Sequence, residues 1–245
     1  MIQIKDLNVS FAGMTALSDL SLDIAPKQVL ACIGPSGSGK SVFLQALNRS
    51  CGEQAHMEGS IILDGKDIYS EMNPLELRRK VGLILTRPAT FPGSILENVA
   101  FGLKMRGGLS RSEIIESVEQ ALRRAELWEE VSDRLNKPAA RLSEGQQQRM
   151  CIARALALQP RVLLLDEPTR SLDPIATGRI EQLCERLKQE ITIIISSHTV
   201  QQASRVSDRT LFFLHGRLIE EGLTQKLFMQ PMQQATADYI SGRFQ

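Results

Sequence analysis

The chain has 245 residues, of which 42% are hydrophobic and 23% charged; this is typical of a globular protein and excludes a disordered or fibrous one. Its 29 Lys and Arg residues nearly balance 28 Asp and Glu residues, giving a formal net charge of +1. That balance and an aromatic content of 4% argue against binding of nucleic acids through a basic field or by base stacking. The length predicts one large domain, or a core with a small subdomain.

The sequence indicates neither a membrane span nor an oxidising compartment. No apolar run approaches the roughly 20 residues that cross a bilayer. The N-terminal segment, MIQIKDLNVSF, carries Asp6 and lacks the apolar core of a signal peptide, so we expect the chain to be made and kept in the cytosol. The cysteines at positions 32, 51, 151 and 184 are far apart, which predicts reduced, mostly buried thiols and neither a disulfide framework nor a zinc site.

The first part of the chain changes from alternating to continuous hydrophobic patterns. Period-two alternation within residues 2–7 and 20–24 predicts half-buried antiparallel strands. An apolar run at Val29–Ile33, a glycine-rich turn and an apolar helix at about residues 40–48 then predict the start of a parallel α/β core. Further on, Asp64-Gly65 predicts a hairpin turn.

The rest of the chain is predicted to hold a helical insertion followed by more α/β structure. Interleaved charged and apolar residues predict helices at 95–105, 110–125 and 127–135. From residue 161 onward the pattern predicts strands at 162–165, 191–195 and 211–214, helices at 174–189 and 199–206, and, after a turn at 215–216, two short C-terminal helices. The predicted fold class is α/β: a mixed-sheet core from residues 1–87 and 161–245, with an antiparallel β subdomain at the N-terminus and an inserted helical subdomain at about 88–160.

The glycine-rich turn matches the phosphate-binding pattern G-x-x-x-x-G-K-[ST], with Gly34, Pro35, Ser36, Gly37, Ser38, Gly39, Lys40 and Ser41. Its glycines let successive backbone N–H groups turn toward phosphate oxygens, and the N-terminus of the following helix adds a partial positive charge. Lys40 supplies a full charge to the outer phosphates, and the Ser41 hydroxyl suits Mg²⁺. A glycine-rich turn without a ligand is the alternative, but the strand before it and the helix after it favour a phosphate site.

Two carboxylates follow the apolar strand at residues 162–165. Ligands of open α/β sheets bind at the carboxyl ends of the strands, so Asp166 is predicted to hold Mg²⁺, directly or through water. Glu167 is predicted to polarise the attacking water as a general base. Taken alone, the pair could be an ordinary solvated strand end; the phosphate-binding turn favours the catalytic interpretation.

A second helix start carries the residues Leu142-Ser143-Glu144-Gly145-Gln146, here called the signature segment (residues 142–146). Ser143 is a plausible N-cap, and its hydroxyl with the N–H groups after it would form another anion site. A helix that is merely capped is the alternative.

The order of these motifs resembles that of ATP-binding cassette ATPases: GPSGSGKS, LSEGQ, VLLLDEP, SLD and SSH. The resemblance spans essentially the whole chain. It implies the fold of that family, ATP and Mg²⁺ as ligands, and two cassettes packed head to tail, as a homodimer or as a heterodimer with a paralogue.

The same resemblance implies roles for further residues. The signature segment, with Ser143, Glu144, Gly145 and Gln146, would cover the ATP bound to the other cassette, and Ser143 and Gly145 would contact its γ-phosphate. Ser171, Leu172 and Asp173 would form a loop that couples the two sites. His198 would reach the γ-phosphate, Phe11 would stack on adenine, and Val42 would lie beside the nucleotide; structural roles are the alternatives for His198 and Phe11.

Several stretches resemble more narrowly the ATPase subunit of bacterial phosphate importers: NVAFG at 98–102, LSEGQQQRMCIARALA at 142–157, IATGRI at 175–180, QQASRVSD at 201–208 and ADYISGRF at 237–244. This implies a subunit at the cytoplasmic face of the inner membrane that powers inward movement of inorganic phosphate. Two membrane-embedded permease subunits would be its direct partners, and a periplasmic solute-binding protein an indirect one. We expect the permease to dock along residues 86–91, with Phe91 as an apolar anchor; burial of Phe91 in the helical subdomain is the alternative.

Four residues depart from the family pattern. Thr86 replaces a Gln that would reach toward Mg²⁺, and its shorter side chain leaves the hydroxyl roughly 2–3 Å short. Val42 lacks a hydroxyl for the α-phosphate, Glu144 replaces a glycine of the signature, and Arg170 replaces a small residue before the coupling loop. We therefore expect a working but slow ATPase, whose rate rises when Thr86 is changed to Gln.

Two other functions stay open from the sequence. Thr86, Val42 and Glu144 favour a nucleotide-sensing regulatory cassette with little turnover. The ATPase of an importer for another solute would carry the same ATP motifs, because the cargo contacts lie on the partner subunits. A DNA-repair cassette is disfavoured, because the sequence has no long coiled-coil insertion and no surplus of basic residues.

Overall fold

A computed structural model of the protein describes residues 1–243. The strands are β1 (Ile2–Phe11), β2 (Met14–Ile24), β3 (Val29–Ile33), β4 (Ala55–Leu63), β5 (Lys66–Asp67), β6 (Val81–Ile84), β7 (Val162–Asp166), β8 (Thr192–Ser196), β9 (Arg209–Leu214) and β10 (Arg217–Leu223). The α-helices are α1 (Lys40–Leu47), α2 (Pro74–Lys80), α3 (Ile95–Arg106), α4 (Arg111–Arg124), α5 (Trp128–Val131), α6 (Glu144–Leu156), α7 (Pro174–Leu187), α8 (Val200–Val206), α9 (Thr224–Met229) and α10 (Gln234–Ile240). Short 3₁₀ turns lie at Ser132–Arg134 and Ala139–Arg141.

The strands form two sheets. One is antiparallel, with the order β2-β1-β4-β5, and the other has the order β10-β9-β3-β8-β7-β6. In the second sheet β9, β3, β8, β7 and β6 run parallel, and β10 is antiparallel to β9. The predicted N-terminal antiparallel sheet is confirmed. Because the carboxyl ends of parallel strands meet at one edge of a sheet, the segments after β3, β6, β7 and β8 lie close together.

The hydrophobic patterns of the strands match their burial. On β1 the side chains of Ile2 and Ile4 are buried, and those of Leu7 and Val9 are buried after an irregularity in the pairing with β2 that shifts the alternation by one residue. Every residue of β3, β7 and β8 is buried, because these central strands are covered on both faces. Three rigid, fully packed strands therefore support the segments that carry the predicted site.

Helices α3 to α6 are inserted in the sequence between β6 and β7, which are neighbours in the sheet. Helices α3, α4 and α6 pack on one another, and α6 also packs against β6 and α7. One hydrophobic cluster joins side chains of these helices, such as Leu122 and Met150, to side chains of the sheet, such as Leu163 and Ile193. The helix that follows the signature segment is therefore anchored on the central sheet.

The C-terminal part differs from the prediction. Two helices were expected directly after the turn at 215–216, but the chain first forms β10, paired with β9. This edge strand lacks a strong apolar pattern because its one buried side chain is Glu220. That carboxylate accepts hydrogen bonds from the N–H groups of Met232 (2.8 Å) and Gln233 (3.0 Å), so a charged residue occupies a position where the pattern would need an apolar one.

Smaller differences concern the ends and the number of elements. Helix α2 and strand β6 have no counterpart in the prediction. The helix expected at 174–189 ends at Leu187, and the one expected at 127–135 divides into α5 and a 3₁₀ turn.

The cysteines are free thiols, and those at positions 32, 151 and 184 are buried, as predicted. Burial raises the pKa of Cys51 to about 11 and that of Cys184 to about 12, so both thiols are protonated at neutral pH. Within residues 1–243, no helix has both the length and the apolar character that a membrane span requires.

Candidate active site

The phosphate loop (residues 34–41) connects β3 to α1 and depends on its glycines. Gly34, Gly37 and Gly39 have φ angles of 143°, 77° and 102°, a region that side chains disfavour. A Cβ at Gly34 would lie 2.1 Å from the carbonyl oxygen of Phe213, and one at Gly39 would lie 2.7 Å from Leu17 Cδ2. The loop therefore keeps its shape only with glycine at these two positions, where neighbouring strands crowd it.

The N-terminus of α1 is open to an anion. Its N-cap residue is Gly39, which has no side chain to satisfy the first amides of the helix. The first helical hydrogen bond runs from the Phe43 N–H to the Gly39 carbonyl oxygen, at 2.8 Å. The amides before Phe43 therefore point into the loop without an intrahelical acceptor, which is the arrangement that binds phosphate.

Lys40 lies folded over this loop, with a relative exposure of only 6%. Its Nζ donates to the carbonyl oxygens of Gly34 (2.7 Å) and Pro35 (2.9 Å), and to Ser38 Oγ (3.4 Å). Burial lowers the pKa of Lys40, while the negative charge of Glu167 opposes that shift. The ammonium group is thus held where a phosphate oxygen could replace its carbonyl partners.

The two residues predicted to bind Mg²⁺ are in direct contact. Ser41 Oγ donates to Asp166 Oδ1 at 2.9 Å, and Asp166 is 7% exposed at the end of β7. A hydroxyl and a carboxylate are hard oxygen ligands, and Mg²⁺ commonly binds one or two protein groups together with phosphates and water. These two side chains therefore fit the ion that the family implies.

Ser196 is a residue of this site that the sequence reasoning missed. Its Oγ donates to Asp166 Oδ1 at 2.7 Å and accepts the N–H of Glu167 at 2.9 Å. Ser196 ends β8 and is paired with Asp166 across the parallel ladder. The signal was present, because an apolar strand of isoleucines ends in Ser-Ser-His, but the neighbouring strand that gives Ser196 its partners could not be read from the sequence.

Glu167 has an unusual backbone and a charged partner. Its φ is 43°, which residues other than glycine seldom adopt. Its Oε2 lies 2.9 Å from Arg170 Nη1, and its side chain is 13% exposed. The carboxylate predicted to act as a base is therefore held on both sides, through its main chain by Ser196 and through its side chain by Arg170.

The other residues predicted to contact the nucleotide or Mg²⁺ lie at the end of β1, in α1 and after β6 and β8. Thr86 follows β6, and its hydroxyl donates to the Asp166 carbonyl oxygen at 3.0 Å. His198 is exposed just beyond β8, Phe11 is half-buried at the end of β1, and Val42 is half-buried against the core beneath α1. The Thr86 hydroxyl thus joins the ends of two neighbouring strands.

The signature segment is stabilised by side chains. Ser143 Oγ accepts the Gln146 N–H at 3.3 Å, and Gln146 Oε1 accepts the Ser143 N–H at 3.0 Å, which is a capping box. A Cβ at Gly145 would lie 2.8 Å from Ala176 Cβ, so glycine lets the start of α6 approach α7. The Glu144 side chain is exposed, which avoids burial of its charge.

A partly buried ion-pair network supports this segment, and the sequence reasoning missed it. Gln146 Nε2 donates to Glu130 Oε2 at 2.7 Å, and the same carboxylate pairs with Arg149 at 2.8 Å and with Arg179. Burial alone would raise the pKa of Glu130, but the hydrogen bonds from Arg149 and Gln146 and the charge of Arg179 lower it to about 2. Glu130 therefore ties α5, the signature helix α6 and α7 together.

The predicted coupling loop lies between Glu167 and α7. Ser171 is exposed and Leu172 is half-buried. Asp173 caps α7 by accepting the N–H groups of Ile175 and Ala176, each at 2.9 Å. The loop thus leads from the carboxylates to the helix that packs against Gly145.

A family model described as "ABC transporter" matches residues 17–170, which include the phosphate loop, the signature segment and both carboxylates. This chain belongs to the ABC transporter family. Its fold is the ABC ATPase fold, and the domain is an ATPase cassette of that family.

Solved structures agree with this family assignment. CbiO1 of Clostridium perfringens, part of the ABC transporter complex cbiONQ, is 31% identical over 94% of this chain and 90% of its own, with a TM-score of 0.82. A dimeric ATP-binding cassette in a post-hydrolysis state, bound to ADP and Pi, is 29% identical over 91% of this chain and 99% of its own, with a TM-score of 0.78. A bacterial Atm1-family ABC exporter with ATP bound is 27% identical over 99% of this chain, which spans 41% of that protein, with a TM-score of 0.82.

Proposed function

We propose that this chain is the ATP-hydrolysing subunit of a bacterial ABC importer, with inorganic phosphate as its cargo. The observation that carries the hydrolytic part is the contact between Ser41 and Asp166 beside the phosphate loop, with Glu167 as the next residue. The loop binds the triphosphate through its amides and Lys40, and Ser41 with Asp166 holds Mg²⁺. The bound ion neutralises charge on the phosphates and orients them.

Glu167 is the general base in this proposal. It accepts a proton from water while the water oxygen forms a bond to the γ-phosphorus and the bond to the ADP oxygen breaks. Ser196 holds the main chain of Glu167 and the side chain of Asp166 at once, so the base and the metal ligand keep a fixed relation. Phe11 stacks on adenine, and His198 contacts the γ-phosphate.

A second cassette completes the site. The side-chain hydrogen bonds of Ser143 and Gln146 stay within their own capping box or reach Glu130, and Ser143 and Glu144 are exposed. A preformed helix N-terminus on the surface is suited to an anion carried by another molecule. The segment therefore contacts the ATP bound to the phosphate loop of a partner cassette, in a homodimer or with a paralogue, and residues 171–173 link the two sites.

An apolar groove is the proposed docking site for the permease. It encloses about 730 Å³ between β6, α3 and α6, and its lining includes Leu85, Phe91, Phe101, Met105 and Leu158. Phe91 is 38% exposed, its ring centre lies 4.7 Å from that of Phe101, and the Arg154 guanidinium lies 4.2 Å from it. Exposed aromatic rings beside an arginine are typical anchors of protein interfaces. Docking there would hold the chain at the cytoplasmic face of the membrane.

The proposal of phosphate as cargo rests on the sequence resemblance to the ATPase subunit of phosphate importers and on the position of one of the similar stretches, residues 98–102. In the stretch at 98–102, the Asn98 side chain holds the Phe91 main chain by hydrogen bonds of 2.8 and 3.0 Å, and Phe101 packs on Phe91. A segment that resembles phosphate importers thus shapes the groove for the partner. Of the C-terminal stretch at 237–244, Phe244 lies outside the described residues.

The hydrolytic proposal is tested by Glu167→Gln. The change keeps the shape of the side chain but removes the proton acceptor, so we expect ATP binding to persist and hydrolysis to fall by about two to four decades. Gel filtration of the variant with ATP and Mg²⁺ should show a trapped dimer. Unaltered hydrolysis would contradict the role of Glu167, and a protein that stays monomeric with ATP would contradict the paired-cassette site.

The partner and cargo proposals are tested by uptake. Phe91→Asp should abolish uptake of inorganic phosphate in a strain that depends on this chain, while ATP binding by the purified chain persists, because a buried charge is unfavourable at the interface. Ile115→Asp is the control, since Ile115 is similarly exposed on α4 (43%) and lies outside the groove. Uptake of phosphate that is unaffected by deletion of the gene would remove phosphate as the cargo.

Two contacts favour a second candidate function, a nucleotide-sensing cassette with little turnover. The Glu167 carboxylate is paired with Arg170, and the Thr86 hydroxyl is used by the Asp166 main chain, so neither group is available as it stands. The steady-state ATPase rate of the purified chain separates the two functions, because a sensor would bind ATP without measurable release of phosphate.

A further inference from the structure

The guanidinium of Arg170 forms an ion pair with the carboxylate of Glu167, the proposed general base. Arg170 Nη1 lies 2.9 Å from Glu167 Oε2, and the side chains are 60% and 13% exposed, respectively. The turn that begins at Glu167 produces this contact, because the Arg170 N–H donates to the Glu167 carbonyl oxygen at 3.2 Å and places the two side chains on one side. The exposed guanidinium of Arg170 therefore holds the largely buried carboxylate of Glu167 in an ion pair.

Only the side-chain torsions of Glu167 are left to move its carboxylate. Its N–H is bonded to Ser196 Oγ, which in turn donates to Asp166. A second cation, Lys40, lies in the phosphate loop, and the charge of Glu167 acts to raise its pKa. With the main chain fixed, the carboxylate points toward whichever cation holds it, Arg170 at the surface or the groups around the phosphate loop.

We propose that Arg170 is a positioning residue that restrains Glu167 and thereby slows ATP hydrolysis. This rests on the proposed role of Glu167 as the base. To take a proton from water, the Glu167 carboxylate must give up its charge-assisted hydrogen bond to Arg170. Each turnover therefore includes opening of the Arg170–Glu167 pair, and the chain is slower than one with a small residue at position 170.

The size of the effect follows from the exposure of the pair. Exposed ion pairs change equilibria by about two- to fivefold, so Arg170→Ser should raise kcat by that factor without changing KM for ATP. Arg170→Lys keeps a positive charge and should stay close to the wild-type rate. Salt screens exposed pairs, so raising NaCl from about 0.05 to about 0.5 M at saturating ATP should raise wild-type kcat toward that of Arg170→Ser.

A matched control lies at the opposite end of β7. Arg161 precedes β7 and pairs with Asp64 at 2.8 Å, with its side chain 66% exposed, whereas Arg170 follows the other end of β7. Arg161→Ser removes an ion pair of the same kind far from the carboxylates and should leave kcat and its salt dependence unchanged. A general effect of lost surface charge would alter both variants alike.

Steady-state kinetics of the full-length chain decide between the outcomes. Unaltered hydrolysis in Glu167→Gln would overturn the base assignment itself. If Glu167→Gln is inactive while Arg170→Ser is no faster than wild type, the base assignment stands and the restraint is overturned; a fall in kcat would instead indicate that Arg170 contacts the phosphates. Adding Arg170→Ser to Glu167→Gln should give no gain in rate. The salt dependence of the wild type needs no variant, and a rate that does not rise with salt also overturns the proposal.

Discussion

The phosphate loop and the signature segment both start a helix beside the central sheet, yet they are built in opposite ways. The phosphate loop takes its shape from backbone: glycines with positive φ and an N-cap, Gly39, that leaves the amides of α1 open. The signature segment is closed by side chains, since Ser143 and Gln146 cap each other and Glu130 holds Gln146. The first is ready for a ligand, and the second is stable without one.

The difference fits the proposed roles. A loop that binds its own nucleotide needs unsatisfied donors, which a phosphate then satisfies. A surface offered to another molecule must hold its shape before that molecule arrives, because ordering a flexible segment on binding lowers affinity. The capping box and the Glu130 network supply that order in advance.

The largest expected effect is a loss of ATP affinity when the charge of the phosphate loop is removed. Lys40→Ala removes the one full positive charge of the loop, and charge-assisted hydrogen bonds are worth about 3 kcal/mol at the upper end. We expect ATP affinity to fall by about 100-fold or more, measured by calorimetry with ATP and Mg²⁺. Lys188→Ala is the control, because Lys188 pairs with Asp208 and Glu185 away from the loop. Equal affinity in Lys40→Ala and wild type would remove the loop from the nucleotide site.

At the signature segment we expect the opposite result: a substitution that lowers stability and leaves ATP affinity unchanged. Glu130→Gln leaves Arg149, whose side chain is 4% exposed, without a charged partner, and we expect a loss of about 2–3 kcal/mol in the free energy of unfolding. For a chain of this size that lowers Tm by about 4–12 °C, while ATP affinity should be unchanged. Glu129→Gln is the control, since Glu129 pairs with Arg123 with its own side chain 85% exposed. A similar Tm in all three proteins would contradict the network.

The difference in the free energy of unfolding between the wild type and Glu130→Gln should decrease at low pH. The pKa of Glu130 is lowered from 4.5 to about 2 in the folded chain, so its stabilising effect is complete above pH 4.5 and is lost as the pH falls toward about 2. The gap in stability between wild type and Glu130→Gln should therefore narrow over that interval and stay constant at higher pH.

The two regions also show how far the sequence alone can predict this molecule. The phosphate loop is local: the strand, the glycines, Lys40 and Ser41 are consecutive, and spacing suffices to predict them. The closeness of Ser41 and Asp166 could be predicted, because the carboxyl ends of parallel strands meet at one edge of a sheet, but their hydrogen bond could not. Ser196 completes that contact from a third strand, and no local pattern reveals which strand lies next to β7.

The support of the signature segment was beyond sequence reasoning for the same reason. Glu130, Arg149 and Arg179 come from three helices and meet only after the fold has formed. Strand β10 was missed because its buried residue, Glu220, is charged. Arg170 was recognised as a departure from the family pattern, but its partner depended on a turn after Glu167 that hydrophobic periodicity does not predict.

The smallest expected effect concerns Thr86, whose hydroxyl joins the ends of the neighbouring strands β6 and β7. Its hydroxyl donates to the Asp166 carbonyl oxygen at 3.0 Å, and loss of such a bond costs about 1 kcal/mol. Thr86→Gln should therefore lower Tm by about 2–4 °C while its longer amide reaches toward Mg²⁺ and the attacking water. We expect a higher ATPase rate with little change in ATP affinity. If a water bridges the gap left by the shorter Thr86 side chain in the wild type, ordering that water costs about 0–2 kcal/mol. Removing this cost can raise the rate by at most about thirty-fold.

Thr86→Val separates the two consequences of this change. Valine has the shape of threonine but no hydroxyl, so it should lose the same stability as Thr86→Gln without the gain in rate. If both variants are less stable and neither is faster than wild type, the Thr86 hydroxyl serves to position Asp166, and the amide has no place to act. If Thr86→Gln alone is faster, the slow rate of the wild type originates at the junction between β6 and the inserted helices, because Asp166, Ser41 and Lys40 are the same in both variants.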